Sequence, residues 1–257
     1  MALPPLDVVP LPALEDNYVY VLVDSASRSA ALVDPGEAKP ALEFLDRERL
    51  GLGAILVTHH HHDHTAGIAA LARRFSGVRV VGAAADRDRI SGLTELVGEG
   101  DRVQVLGRVA EVLEIPGHTR THVGYVLDDG AGGADLFSGD TIFGATIGNL
   151  FEGTPDDMLA SLTKIRALPE RTRIWCGHEY TLTYVREAAR FDPTNAALAS
   201  RLTRVEAQAG RGEPTVPLTL AEERSTSPFF RWDDSLLASR LGTAPGRDTF
   251  HRLCDLL

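Results

Sequence analysis

The run Thr58-His59-His60-His61-His62-Asp63-His64 holds five of the nine histidines of this 257-residue chain. It lies between the apolar run 54–57 and a stretch with Ile68, Leu71, Ala72 and Phe75 at helical spacing, so it is not a terminal purification tag. In an extended chain alternate side chains share a face, which lets His59 and His61 grip one ion together. Asp63 and His64, where the chain turns into a helix, can face a second ion. Imidazole and carboxylate without thiolate suit zinc and similar first-row metals, and such sets are more often catalytic than structural. Two ions about 3.5–4 Å apart need a bridging carboxylate and further donors. Three candidates follow an apolar strand and a glycine: His118 after Pro116-Gly117, Asp140 after Ser138-Gly139, and His178 after Cys176-Gly177. Glycine lets the backbone bend sharply enough for the next side chain to reach an ion.

The elements that must carry these donors are readable from pattern. Residues 18–24 and 30–34 read as a β-hairpin, 38–50 as a helix stopped by Gly51 and Gly53, and 54–57 as a short buried strand. Strand, polar loop and helix in succession place the histidine block at a sheet end, where ligand sites form. Further strands are expected at 78–81, 103–106, 109–115, 123–127, 136–137 and 173–176. Thr154-Pro155-Asp156-Asp157 starts a helix with a hydroxyl cap, a first-turn proline and acids at the positive dipole end. Beyond His178 only helices are expected, at 181–190, 195–209 and 249–257. A boundary near residue 180 therefore divides a domain of residues 1–180 from a helical one of 181–257. A short echo between residues 30–36 and 134–140, each an apolar strand ending in Asp and Gly, is too brief to carry an argument.

Composition excludes several classes. Hydrophobic residues at 44% and charged residues at 24% are those of a globular protein. A net charge of −10, with lysine only at positions 39 and 164, makes nucleic acid a poor partner. No apolar run spans a membrane, residues 1–16 lack a basic start before an apolar stretch, and Cys176 and Cys254 cannot build a disulfide framework. A cytoplasmic, monomeric protein with no membrane or nucleic-acid partner is expected.

The combination His59-x-His61-x-Asp63-His64, 116–119 (PGHT), 138–141 (SGDT) and 176–180 (CGHEY) resembles the metallo-β-lactamase superfamily. Asn17-Tyr18, 151–154 (FEGT) and 227–231 (SPFFR) extend the likeness to the glyoxalase II, or hydroxyacylglutathione hydrolase, family over nearly the whole chain. The resemblance implies an α+β fold: an αββα sandwich followed by a small helical C-terminal domain that binds substrate. It implies two divalent ions, zinc foremost with iron or manganese as alternatives, one on His59, His61 and His118 and one on Asp63, His64 and His178, with Asp140 bridging. Ions of this kind lower the pKa of water to about 7, so a hydroxide held between the ions, at a centre whose catalytic carboxylates are Asp63 and Asp140, would attack a polarised carbonyl. A thioester suits this chemistry because its leaving thiolate, of parent pKa about 8.5, hardly needs a general acid. Asp63 thus reads as a ligand rather than a proton donor. S-D-lactoylglutathione or a related S-acylglutathione is the implied substrate.

The chain also departs from that family. The resemblance implies a basic residue at position 149 and a basic C-terminal tail to hold the glutathione carboxylates; here stand Asn149, Leu150 and Phe151, and a tail of Leu253-Cys254-Asp255-Leu256-Leu257. Tyr180 remains to contact the peptide portion, and Arg120 is a candidate to replace a lost base, so Tyr180, Asn149, Phe151 and Arg120 form the expected substrate contacts. Arg231 is retained.

Other residues have plainer readings. His60 and His62 alternate away from the first ion, toward packing or solvent. His122 is expected to order the loop behind His118, and His251 to lie on the surface. Asp34 is either an acceptor orienting a ligand imidazole or a turn residue before Pro35. Cys176 reads as a buried thiol, and residues 229–232 as core between domains. A mononuclear-iron persulfide dioxygenase on the same fold, a hydrolase of a different thioester or ester, and a non-enzymatic metal-binding protein are the competing functions.

Overall fold

The computed structural model describes residues 6–257; the first five residues of the expected first domain lie outside them. The chain forms two compact units. One comprises the chain up to Glu114 with Thr121–Gly139, and the other Ile115–Arg120 with Asp140–Leu257.

The first unit is built on two sheets. Strands β1 (Asp7–Ala13), β2 (Asn17–Asp24), β3 (Ser29–Val33), β4 (Gly51–Leu56), β5 (Arg79–Ala83) and β6 (Glu95–Val97) form a sheet in chain order. The first three pair antiparallel, and β3 to β6 run parallel, with Leu32 opposite Ile55 and Ile55 opposite Val80. Helices α1 (Ala38–Glu48), α2 (His62–Thr65) and α3 (Ile68–Arg74) lie in the connections. Parallel strands need such crossovers. Ala41 and Leu45 of α1 and Ile68 and Leu71 of α3 bury their stripes against Val19, Leu32, Ile55 and Val80 of the sheet. The second sheet contains β7 (Arg102–Val105), β8 (Arg108–Glu114), β9 (Val123–Asp128) and β10 (Ala134–Gly139), antiparallel throughout. Tyr125 on β9 is fully buried and its hydroxyl donates to the carbonyls of Val57 and Val81, at 2.9 and 3.3 Å, which joins the two sheets.

The second unit holds two short hairpin strands, β11 (Ile142–Phe143) and β12 (Thr146–Ile147), a pair β13 (Arg173–Cys176) and β14 (Leu218–Thr219), and helices α4 (Pro155–Arg166), α5 (Thr181–Phe191), α6 (Ala196–Gly210), α7 (Leu220–Thr226), α8 (Ser235–Leu241) and α9 (Arg247–Cys254). The expected start of α4 is present as a capping box: the Thr154 hydroxyl accepts from Asp157 N, and the Asp157 carboxylate accepts from Thr154 N. Deep inside, the fully buried Arg201 of α6 pairs with Glu223 of α7, whose other oxygen accepts from Ala145 N at 3.0 Å.

Several expectations are corrected. Helix α1 ends before Gly51 as expected, but β4 begins at Gly51 rather than at residue 54: Gly51 pairs with Ser29, and Gly53 falls at the register shift between Ala30 and Ala31, a bulge position that suits glycine. Strand β1 is absent from the sequence-based expectation since Pro10 and Pro12 interrupt it; it is an edge strand, where missing N–H groups cost no ladder bond. A strand does follow His178: β14 is only two residues long, too short to show a period.

Candidate metal centre

In the first unit β4 delivers the histidine block. His59 Nε2 and His61 Nδ1 face one another at 3.0 Å, as the alternation along an extended run predicts. Two imidazole nitrogens at that separation need a proton or a cation between them. One carboxylate then fixes how the imidazoles are presented. Asp34, buried at the end of β3, accepts from Thr58 N (2.8 Å), from the Thr58 hydroxyl (2.6 Å) and from His64 Nδ1 (3.1 Å). Since Thr58 donates its proton to Asp34, its oxygen accepts from His59 Nδ1 at 3.0 Å. Both His59 and His64 therefore carry their proton on Nδ1 and offer the Nε2 lone pair, the form that a metal needs. Asp34, His59 and His64 form a compact donor group, but the carboxylate of Asp34 is committed to orienting the other two. Of its two readings the acceptor role is the one the hydrogen bonds show, and the turn is present as well, at φ 49°.

Asp63 follows in α2. Its Oδ2 lies 3.5 Å from His64 Nε2 and accepts from Asn17 Nδ2 at 3.0 Å, while its carbonyl accepts from the same amide at 3.2 Å. The Asp34 turn presses so closely on this segment that a Cβ on Gly36 would fall 1.7 Å from the Asp63 carbonyl oxygen. Glycine is required there for space. His62 is exposed, as expected, and His60 is packed inward beside Asp86. The ring of His122, fully buried, stacks on His59 with centroids 4.7 Å apart and planes at 17°, so within this unit it orders a ligand candidate of the histidine block.

The second unit gathers His118, Asp140 and His178. One oxygen of Asp140, Oδ2, lies 3.4 Å from Nε2 of His118 and 3.4 Å from Nε2 of His178. His118 Nδ1 donates to the Asn149 carbonyl at 2.8 Å, so it too presents Nε2. The hairpin β11–β12 folds back on this point: a Cβ on Gly148 would lie 1.9 Å from the Asp140 carbonyl oxygen. The bend expected before each donor is visible at Gly117 (φ 153°) and Gly139 (φ 47°), whereas Gly177, before His178, has no positive φ. A side chain on Gly117 would strike Met158, and one on Gly139 would strike the Thr58 hydroxyl and His122.

The expected substrate contacts occupy the second unit. Phe151 is 67% exposed, with its ring edge-on to His118 at 5.2 Å. Tyr180 stacks on His178 at 4.8 Å and 9°. Phe143, which sequence reasoning passed over for want of any motif, stands edge-on to both rings. Asn149 serves His118 through its main chain and leaves its side chain exposed. Arg120 is exposed but tied to Glu152, by its backbone N to the carboxylate (3.0 Å) and by its guanidinium to the carbonyl (3.1 Å). Cys176 is fully buried, and burial holds its thiol far above the usual range, so it is no nucleophile. His251 is half-buried, bonded to Asp156 at 2.8 Å beside the Arg247–Asp156 pair.

The donor set fits divalent metal ions: neutral imidazoles with the proton-bearing nitrogen engaged, carboxylates, and no thiolate. Among the described residues no helix is long and apolar enough to cross a membrane.

Comparison with known proteins gives these parts a lineage. Residues 14–178 match the metallo-β-lactamase superfamily and residues 179–256 match the hydroxyacylglutathione hydrolase C-terminus. A hydroxyacylglutathione hydrolase of Nostoc punctiforme is 44% identical over 253 residues, 98% of either chain, and one from a Synechococcus strain is 47% identical over 95% of either. The crystal structure of ETHE1 from Myxococcus xanthus shares the fold at a TM-score of 0.68 and 24% identity, covering 97% of this chain and 89% of that one. With relatives this similar over almost their full length, the chain has the α+β metallo-β-lactamase fold with a helical C-terminal domain and belongs to the hydroxyacylglutathione hydrolase family.

Proposed function

We propose that this protein is a binuclear metal-dependent hydrolase that cleaves S-D-lactoylglutathione, or a related S-acylglutathione, to glutathione and a hydroxy acid. The observation that carries the reading is Asp140: a single carboxylate oxygen equidistant from two metal-competent imidazoles is what a bridging ligand requires. The relatives' name supports the substrate, and the junction of the two family matches at residues 178 and 179 supports a catalytic domain of 1–180 and a substrate-binding domain of 181–257.

In this reading His59, His61 and His118 hold one ion, Asp63, His64 and His178 the other, and Asp140 both. Divalent ions, zinc foremost, would supply Lewis acidity to the thioester carbonyl and acidify water. The chain's own part is orientation. Asp34 and Thr58 keep His59 and His64 in the Nε2-presenting tautomer, the Asn149 carbonyl does so for His118, and Asn17 holds the Asp63 carboxylate in place. Phe151 and Tyr180 offer apolar faces beside His118 and His178 for the thiol portion. Elemental analysis of purified protein, paired with an assay on S-D-lactoylglutathione, tests the reading. The expected result is about two ions per chain and hydrolysis that a chelator abolishes and added zinc restores. Full activity in metal-free protein would end it.

A further inference from the structure

The metal partition leaves two histidines of the block unused; His62 is exposed, and the structure gives the other, His60, a partner of equal interest. Asp86 ends a 3-10 turn (Ala84–Asp86) just beyond β5, and its side chain is completely buried. Three groups converge on its Oδ1: the Thr121 hydroxyl, donating at 2.7 Å; His60 Nδ1 at 3.6 Å; and the Arg89 guanidinium at 3.5 Å. Arg89 also donates to His60 Nε2, which leaves the proton of a neutral His60 on Nδ1, in contact with Asp86 but beyond hydrogen-bond distance. A fully buried carboxylate is costly unless such partners compensate its lost hydration.

The residues that Asp86 holds are each one position from a contact with His59. His60 follows His59 directly. Thr121 precedes His122, whose ring stacks on the His59 ring. Asp86, Thr121, His122 and His59 thus form a chain of one hydrogen bond, one covalent link and one ring stack, with His60, next to His59 in the chain, packed against the same carboxylate. The face of the His59 imidazole is covered by the stacked ring of His122. Its in-plane rotation is already set by Thr58.

We infer that Asp86 is a positioning residue for the ion proposed at His59, fixing that imidazole through Thr121 and His122, with His60 packed on the same carboxylate, without touching the metal. The inference rests on the binuclear reading above. Asp34, by contrast, serves His59 and His64 together, so loss of Asp86 should weaken one ion selectively where loss of Asp34 weakens both.

Titration of metal-free protein with cobalt(II), followed by its visible absorption and by chelator competition, separates the cases. Wild type should take up two ions. Asp86→Asn should lower the affinity of one of them by about 10- to 100-fold, alter the absorption of that site, and leave the second ion within about twofold. Thr121→Val should weaken the same ion to a smaller degree, and Thr121→Ser, which keeps the hydroxyl, should restore it. An Asp86→Asn protein that binds both ions as wild type does would overturn the inference. So would parallel loss of both ions with a fall in melting temperature, the mark of a merely structural residue. If Asp86→Asn does not fold, the Thr121 pair decides alone: a Val variant indistinguishable from Ser sinks the proposal. Wild-type protein that takes up fewer than two ions breaks the binuclear reading itself, and this inference with it.

Discussion

The imidazoles of the two units are oriented by different kinds of partner. In the first unit the hydrogen bonds that select the tautomers of His59 and His64 end on side chains, Thr58 and Asp34. In the second the corresponding bond from His118 ends on the main-chain carbonyl of Asn149. A side-chain partner can be deleted by one substitution, whereas a carbonyl is supplied by any residue that keeps the loop's path. The histidine block should therefore be sensitive to mutation of its supports, and the Asp140 side sensitive chiefly to mutation of the ligands and of the loop's backbone.

The largest effect should come from Asp140→Ala. It removes the oxygen shared by His118 and His178, and elemental analysis should show metal content falling well below two ions per chain together with the hydrolysis rate. A variant keeping both would strip Asp140 of the bridging role. Next comes Asp34→Ala, which strands Thr58 N and the His64 Nδ1 proton in the interior. Each stranded group costs about 1–3 kcal/mol. Denaturant unfolding should register that loss, and metal affinity should fall at least tenfold; an unchanged midpoint and unchanged affinity would erase the contrast between the units.

Asn149→Lys probes the other side of the contrast. Because only its carbonyl serves His118, the variant should keep its metal and its kcat. A new cation beside Phe151 should lower KM for S-D-lactoylglutathione, by about tenfold or more for each charge-assisted hydrogen bond the ammonium makes to a substrate carboxylate. Loss of metal on this exposed substitution would show that the side chain matters after all. The smallest effect belongs to His62→Ala, exposed on α2, which should leave metal content and rate within experimental error. Thiol labelling gives an independent check on the folded state. Cys176 should stay unreacted at pH 8, and Cys254, whose thiol is pushed up to about 12 by burial, should react slowly until the protein is unfolded.

Much of this arrangement is legible in the sequence. The spacing of His59, His61, Asp63 and His64, and the apolar-strand-then-glycine pattern before His118, Asp140 and His178, identify the donors because each depends on local geometry alone. Strands β2 and β3, helices α1 and α4 and the C-terminal helices α5 and α6 are readable for the same reason. What escapes is long-range. Asp34 is legible as a candidate acceptor, but not which groups it serves, since it lies 24 residues from Thr58 and 30 from His64; Asp86 lies 35 from Thr121, and no periodicity links them. Arg201 reads as one charge among many on a helix, yet it is fully buried against Glu223, a pairing that only tertiary packing reveals. Phe143 sits in a two-residue strand, too short for any pattern.

Gly36 and Gly148 carry no side chain, and each lies where even a methyl group would meet a carbonyl oxygen within 2 Å, that of Asp63 in one case and of Asp140 in the other. In a saturation-mutagenesis map scored for activity, both positions should go dark for all nineteen replacements, indistinguishable in depth from His59 or Asp140. Ranking residues by intolerance would enrol them among the chemical groups. Only a second axis, such as abundance of folded protein, would separate a position that does chemistry from one that makes room for it.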